Sequence, residues 1–135
     1  DTEGFLYQLI RHLKTMPRPC RLITDSLTTL ASHNTPERFL AFVERKNRLL
    51  HRPDVVIFDT FLLGTLDDVF HSGLRNNYDL VLRLYSPDWG EMSQNERVSR
   101  VLQVFKNRTA KVDSRPYPYT IRTGEGLVVQ SCFYG

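Results

Sequence analysis

With 135 residues, 41% hydrophobic and 24% charged, the chain has the composition of a folded domain with one substantial core, which excludes a disordered tract. Its formal charge of +3, carried by 14 arginines against 4 lysines, suits phosphate ligands but is too small to be a nucleic-acid footprint by itself. No apolar run reaches the roughly 18 residues a membrane span needs and no signal-peptide pattern opens the chain; Cys20 and Cys132, without metal-type spacing, point to a reducing cytoplasm.

Taken in order, residues 1–15 place Phe5, Leu6, Leu9, Ile10 and Leu13 at helical spacing, which predicts an amphipathic helix. The chain opens at Asp1 inside that helix, so a piece of a longer protein is expected. Pro17 and Pro19 stop the helix, because proline removes a donor and biases its predecessor towards extended geometry. A short strand, Cys20–Asp25, follows, ending in a carboxylate and in Ser26. Thr35, Pro36 and Glu37 then supply a cap, a proline at the first turn and an acid at the positive end of a second helix. Its expected buried face is Phe39, Leu40, Phe42, Val43, Leu49 and Leu50.

Val55–Asp59 is a continuous apolar run ending in a second aspartate, the pattern of a parallel strand buried on both faces. Residues 65–75 predict a helix with Leu66, Val69, Phe70 and Leu74 inward and Gly73 weakening its end. Residues 79–85 predict a third parallel strand, and Ser86–Asn95, with Trp89, a loop. Beyond it, 97–106, 117–122 and 126–130 read as strands with short connections, hence antiparallel, with a hairpin at Gly124-Glu125-Gly126. The expectation is an α/β fold whose helix-flanked parallel sheet carries a C-terminal β-meander.

Two clusters bear chemistry. Asp25 and Asp59 each end a strand, and in open α/β sheets ligands gather at carboxyl ends. A carboxylate there can hold Mg²⁺ beside phosphates, although strand-end aspartates more often act as caps and turn formers. Lys106 and Arg108, two residues apart on a strand, point to one face and suit a phosphate, as they also suit a solvated edge strand. His12, His33, His51 and His71 have no metal-ligand spacing. The aromatics Tyr117, Tyr119, Phe133 and Tyr134 near Arg115 and Arg122 suit base stacking or, more commonly, cross-strand pairing.

Asp25-Ser26-Leu27-Thr28-Thr29-Leu30 after an apolar strand resembles the Walker B segment of the KaiC branch of RecA-like ATPases. Asp79-Leu80-Val81-Leu82-Arg83-Leu84 resembles a later strand of that family, Lys106-Asn107-Arg108 its Lys-x-Arg motif, and Tyr117–Ile121 with Gly124–Val129 its closing hairpin. The four segments stand in the family's order and cover nearly the whole chain. The resemblance implies a three-layer RecA-like parallel sheet in one domain over 1–135, incomplete at its N-terminus. It implies an ATP-binding subunit of a homo-oligomeric ring or filament, cytoplasmic and without a membrane. Asp25 would serve Mg²⁺, with Ser26 and Asp59 beside the nucleotide, and Lys106 and Arg108 would reach a neighbour's γ-phosphate. The sequence departs from the family in lacking any Gly-x-x-x-x-Gly-Lys-Ser/Thr and the paired glutamates, and in carrying Thr109 after the finger arginine. Hydrolysis is therefore an expectation only for a longer chain. A non-catalytic regulatory or scaffolding relative and a nucleic-acid-associated module are the alternatives.

Overall fold

The computed structural model describes residues 1–86 and 100–130. The chain divides into two compact units, Asp1–Asn77 and Tyr78–Gly135.

The first unit contains α1 (Thr2–Thr15), β1 (Cys20–Thr24), α2 (Thr28–Ser32), α3 (Pro36–Leu50), β2 (Val55–Asp59) and α4 (Asp68–Asn76). The start of α1 is fixed by Asp1, whose carboxylate accepts from the Glu3 amide at 3.0 Å, and the start of α3 by Thr35, with Pro36 in the first turn. Arg18 secures the turn between α1 and β1, donating to the Leu13 carbonyl and to the Asp54 carboxylate at 3.2 and 3.0 Å. The helix expected over 65–75 begins three residues later, because Asp67 accepts from the Phe70 amide at 2.7 Å and caps it there. Gly73 lies inside α4, where a Cβ would come within 2.7 Å of a Leu40 methyl, so its lack of a side chain lets α4 approach α3 closely.

The core of this unit is Leu6, Leu13, Leu27, Ala31, Phe39, Phe42, Val43, Leu50, Phe70 and Leu74. Phe39 is its centre, stacked on Phe70 at 5.6 Å and set edge-on to Phe61 at 6.3 Å. Two residues expected inside are outside: Val69 is 83% exposed and Leu49 41%, since each stands on the solvent side of its helix.

Strands β1 and β2 pair in parallel, from Cys20 opposite Val55 to Thr24 opposite Asp59. One face, with Val55, Ile57 and Asp59, is half-buried; the other leaves Ile23, Val56 and Phe58 largely exposed.

The second unit is a four-stranded antiparallel sheet in the order β3 (Leu80–Tyr85), β4 (Val101–Asn107), β5 (Tyr117–Arg122), β6 (Gly126–Val129). This overturns the expected three-layer RecA-like sheet. Among the described residues the parallel sheet has two strands, and 80–85, expected as its third, pairs antiparallel with β4 in a separate sheet. An apolar run does not record the direction of its partner. Leu80, Leu82 and Leu84 share one half-exposed face, and Arg83 on the other stacks its guanidinium on Tyr85 at 4.7 Å, so the strand is not buried on both sides. Register shifts at Val81/Leu82, where Phe105 is the extra residue of a bulge on β4. The expected meander is present, with the β5–β6 turn closed by Gly124 and Gly126 at φ 81° and 82°, a backbone region glycine enters freely. Residues 87–99 and 131–135, and with them Trp89, Cys132, Phe133 and Tyr134, lie outside the described residues. No helix among the described residues is long and apolar enough to cross a membrane.

Candidate functional site

Apolar strands end where polar side chains can reach solvent, and β1 and β2 end side by side. At that end the Thr60 amide donates to the Thr24 carbonyl at 3.0 Å, prolonging the ladder by one residue, and the Leu27 amide donates to the Thr60 carbonyl at 3.1 Å. Thr60 is thereby clamped between β1 and the start of α2. Its hydroxyl donates to Asp25 Oδ1 at 2.5 Å. Asp25 is exposed at the strand ends. Ser26 follows across a cis peptide bond and is half-buried. One turn on, the buried Thr28 hydroxyl accepts from the Leu62 amide at 2.9 Å, joining α2 to the chain leaving β2. Two loops that sequence leaves separate are thus stitched around Asp25 by three hydrogen bonds.

Asp59 turns the other way. Its side chain is fully buried and its Oδ2 lies 2.5 Å from the Lys46 ammonium, itself fully buried on α3. Burial pushes the Lys46 ammonium below its ordinary value, against the opposing pull of the Asp59 carboxylate. Each partner supplies solvation that burial denies the other. Lys46 was legible as an anomaly. It occupies the helical stripe of Phe39, Phe42, Val43 and Leu50, where a charged residue has no solvent and must find a counter-ion.

No family model matches the chain, and no curated protein matches it significantly. The site therefore rests on its own geometry.

That geometry fits a hard cation modestly. Mg²⁺ keeps most of its waters and takes one or two carboxylates, often with substrate phosphates, and a carboxylate with one oxygen fixed by a hydroxyl is such a donor. Among the described residues no three His, Cys, Asp or Glu side chains converge as a metal-ligand group.

In the second unit Lys106 lies near the end of β4 and Arg108 follows its last residue, Asn107, so the two do not share one strand as the spacing predicts. The Arg108 guanidinium is ion-paired with Asp79 at 3.1 Å, and its amide donates to the Asp79 carbonyl at 2.8 Å. Exposed pairs of this kind contribute about 0–1 kcal/mol. Arg115 and Tyr117, candidates for nucleic-acid contact, are engaged locally: Arg115 donates from Nε and Nη2 to the Asp113 carboxylate, and the Tyr117 hydroxyl donates to it at 2.6 Å. Those bonds hold the Asp113 carboxyl well below the usual carboxylate range. Donation to Asp113 raises the Tyr117 phenol above its ordinary value, so this bond's contribution is present below pH 10 and disappears as pH climbs through the raised value. Asp113→Asn is expected to bring Tyr117 ionisation to lower pH, read from the titration of its phenolic carbon by NMR; an unmoved midpoint would show that the cluster does not persist in solution.

Proposed function

We propose that Asp1–Asn77 supplies the magnesium-side carboxylate of a nucleotide site, in a homo-oligomeric ATPase of the kind the KaiC resemblance implies. Asp25 is the residue that meets Mg²⁺, directly or through water, and Thr60 and Ser26 border it. The observation that carries the reading is Asp25 itself: an exposed carboxylate at the carboxyl end of a parallel strand, with one oxygen held by Thr60. The proposal concerns the site and not a RecA-like sheet. The phosphate-cradling loop would come from sequence other than these residues, since no Gly-x-x-x-x-Gly-Lys-Ser/Thr occurs in them. Asp59 is assigned to structure in this reading, because Lys46 occupies it. The nucleotide partner, the oligomer and the cytoplasmic setting belong to the same proposal.

One observation favours the second reading, a non-hydrolysing regulatory or scaffolding subunit. Arg108, the cation that would reach a neighbour's phosphate, rests on Asp79 of its own unit.

The test is paramagnetic. Mn²⁺ titrated into isotope-labelled protein should broaden amide signals of residues 25–28 and 60–62 selectively, more so with ATP present, and Asp25→Asn should abolish the effect. Uniform broadening, or an Asp25→Asn variant that responds like the parent, would overturn the reading. In a longer chain that also holds the phosphate-cradling loop, selective binding without phosphate release would leave the second reading in its place.

A further inference from the structure

The sequence of β2 does not say which of its faces belongs inside. Val55 and Ile57 point one way and Val56 and Phe58 the other, and all four are apolar. The face left outward keeps Val56 52%, Phe58 47% and, on β1, Ile23 66% exposed. A slip of one residue exchanges the faces of a strand, so the hydrophobic pattern specifies register where the two faces differ in polarity. Here that exchange would trade one apolar set for another. Hydrophobic pattern alone leaves the pairing of β1 with β2 weakly determined.

The exception is Asp59. A slip of one residue would turn its carboxylate outward and present Phe58 to Lys46, leaving a fully buried ammonium without its counter-ion. A slip of two would restore the face but displace the carboxylate along the strand by about 6.6 Å, beyond ion-pair reach. Only the observed register, with Thr24 opposite Asp59, satisfies Lys46. That register also sets the next residue along, Thr60, beside the end of β1, where its hydroxyl meets Asp25.

We infer that Lys46 is the positioning residue of the Asp25 site: its ion pair with Asp59 selects the register of β2 on β1 that brings Thr60 onto Asp25. Lys46 touches neither Asp25 nor any ligand and acts through the strand. Setting register is the best-attested use of a buried polar group. The inference rests on the preceding reading for its cation consequence, whereas the register consequence stands apart from it.

The deciding variant is Lys46→Met with Asp59→Leu, which removes both charges and keeps the site filled. Replacing a buried ion pair by hydrophobic residues of similar volume is often neutral or stabilising, so this protein should still fold cooperatively. NMR of the variant should show doubled or exchange-broadened signals for Leu22, Ile23, Ile57 and Thr60, the mark of mixed registers. Mn²⁺ broadening at residues 25–28 should need about tenfold more metal or be lost, the scale of outer-shell substitutions at metal sites. One set of β1 and β2 signals, with Thr60 and Asp25 at their parent shifts and the parent Mn²⁺ response, would overturn the inference. A double variant that does not fold would overturn it too, because the pair would then be building the unit and not choosing its register. If the parent protein itself shows no selective Mn²⁺ effect, the cation reading fails, and the register signals still decide the role of Lys46.

Discussion

An Asp59→Asn variant is expected to lose about 3–5 kcal/mol of folding stability at neutral pH, the usual consequence of removing one partner from a buried ion pair. The substitution preserves shape, so the loss comes from charge: the Lys46 ammonium, fully buried, would keep only a neutral amide for company. The thermal midpoint should fall by roughly 10 °C or more. The loss should shrink as the solution is made alkaline. Burial already pushes Lys46 below its ordinary value of 10.5, and removing Asp59 deletes the influence that raises it. In the variant, folding therefore favours the neutral amine, while the unfolded chain still binds the proton up to about its ordinary value. Where the unfolded state holds more protons, stability rises with pH, so the variant should regain stability as pH approaches 10.5 from below. Lys46→Met should be destabilised to a similar degree without the alkaline recovery, because nothing at that position titrates. Urea unfolding of the three proteins at neutral and alkaline pH measures both effects; an Asp59→Asn loss under about 1 kcal/mol, the level of exposed pairs, would mean that the pair is hydrated in solution.

The buried pair also shows how far the sequence could be read. Local signals were clear. Thr35 and Pro36 mark the start of α3, the prolines after Met16 mark the end of α1, and the twin runs ending at Asp25 and Asp59 do pair in parallel. Each of these is decided by chemistry within a few residues. Asp59 was equally visible as a strand-end carboxylate, but its direction was not. Whether such a side chain faces the crevice or the core depends on what stands across from it, and Lys46 is 13 residues earlier on another element. The clue was present in α3 itself, as a lysine at a position its own helical period assigns to the interior.

The third strand failed for a related reason. Residues 80–85 satisfy the composition of a buried parallel strand, yet their neighbour is β4, whose bulge at Phe105 lies opposite Val81/Leu82. Partner choice and direction are properties of the assembled sheet, and an apolar run is consistent with both. Arg83 in its middle was the residue that argued against burial on two faces, and it lies instead over Tyr85. Of the candidate site, Asp25 could be named from sequence. Thr60 could not be given its role, because the hydroxyl reaches Asp25 across 35 positions of chain.

Phe39→Ala should be as damaging as the loss of the ion pair, at about 3–5 kcal/mol, for a different reason. Phe39 is fully buried and holds three aromatic neighbours: Phe42 at 5.7 Å, Phe70 at 5.6 Å and Phe61 at 6.3 Å. Truncation deletes the transfer energy of the ring and leaves a cavity between α3, α4 and the segment after β2. These neighbours are themselves rings of fixed shape, so collapse into the space should be partial, which keeps the cost in the upper part of the range. Phe39→Leu, which fills most of the volume, should cost less, and Val69→Ala on the exposed side of α4 should change stability by under about 0.5 kcal/mol. Phe61 adds a consequence beyond stability. It follows Thr60 directly, and the Phe39 ring is the surface against which it is set. A folded Phe39→Leu protein should therefore show a weaker selective Mn²⁺ effect at residues 25–28 than the parent, with Val69→Ala unchanged. Equal Mn²⁺ responses in Phe39→Leu and parent would show that the backbone clamp on Thr60 alone holds the Asp25 carboxylate in place.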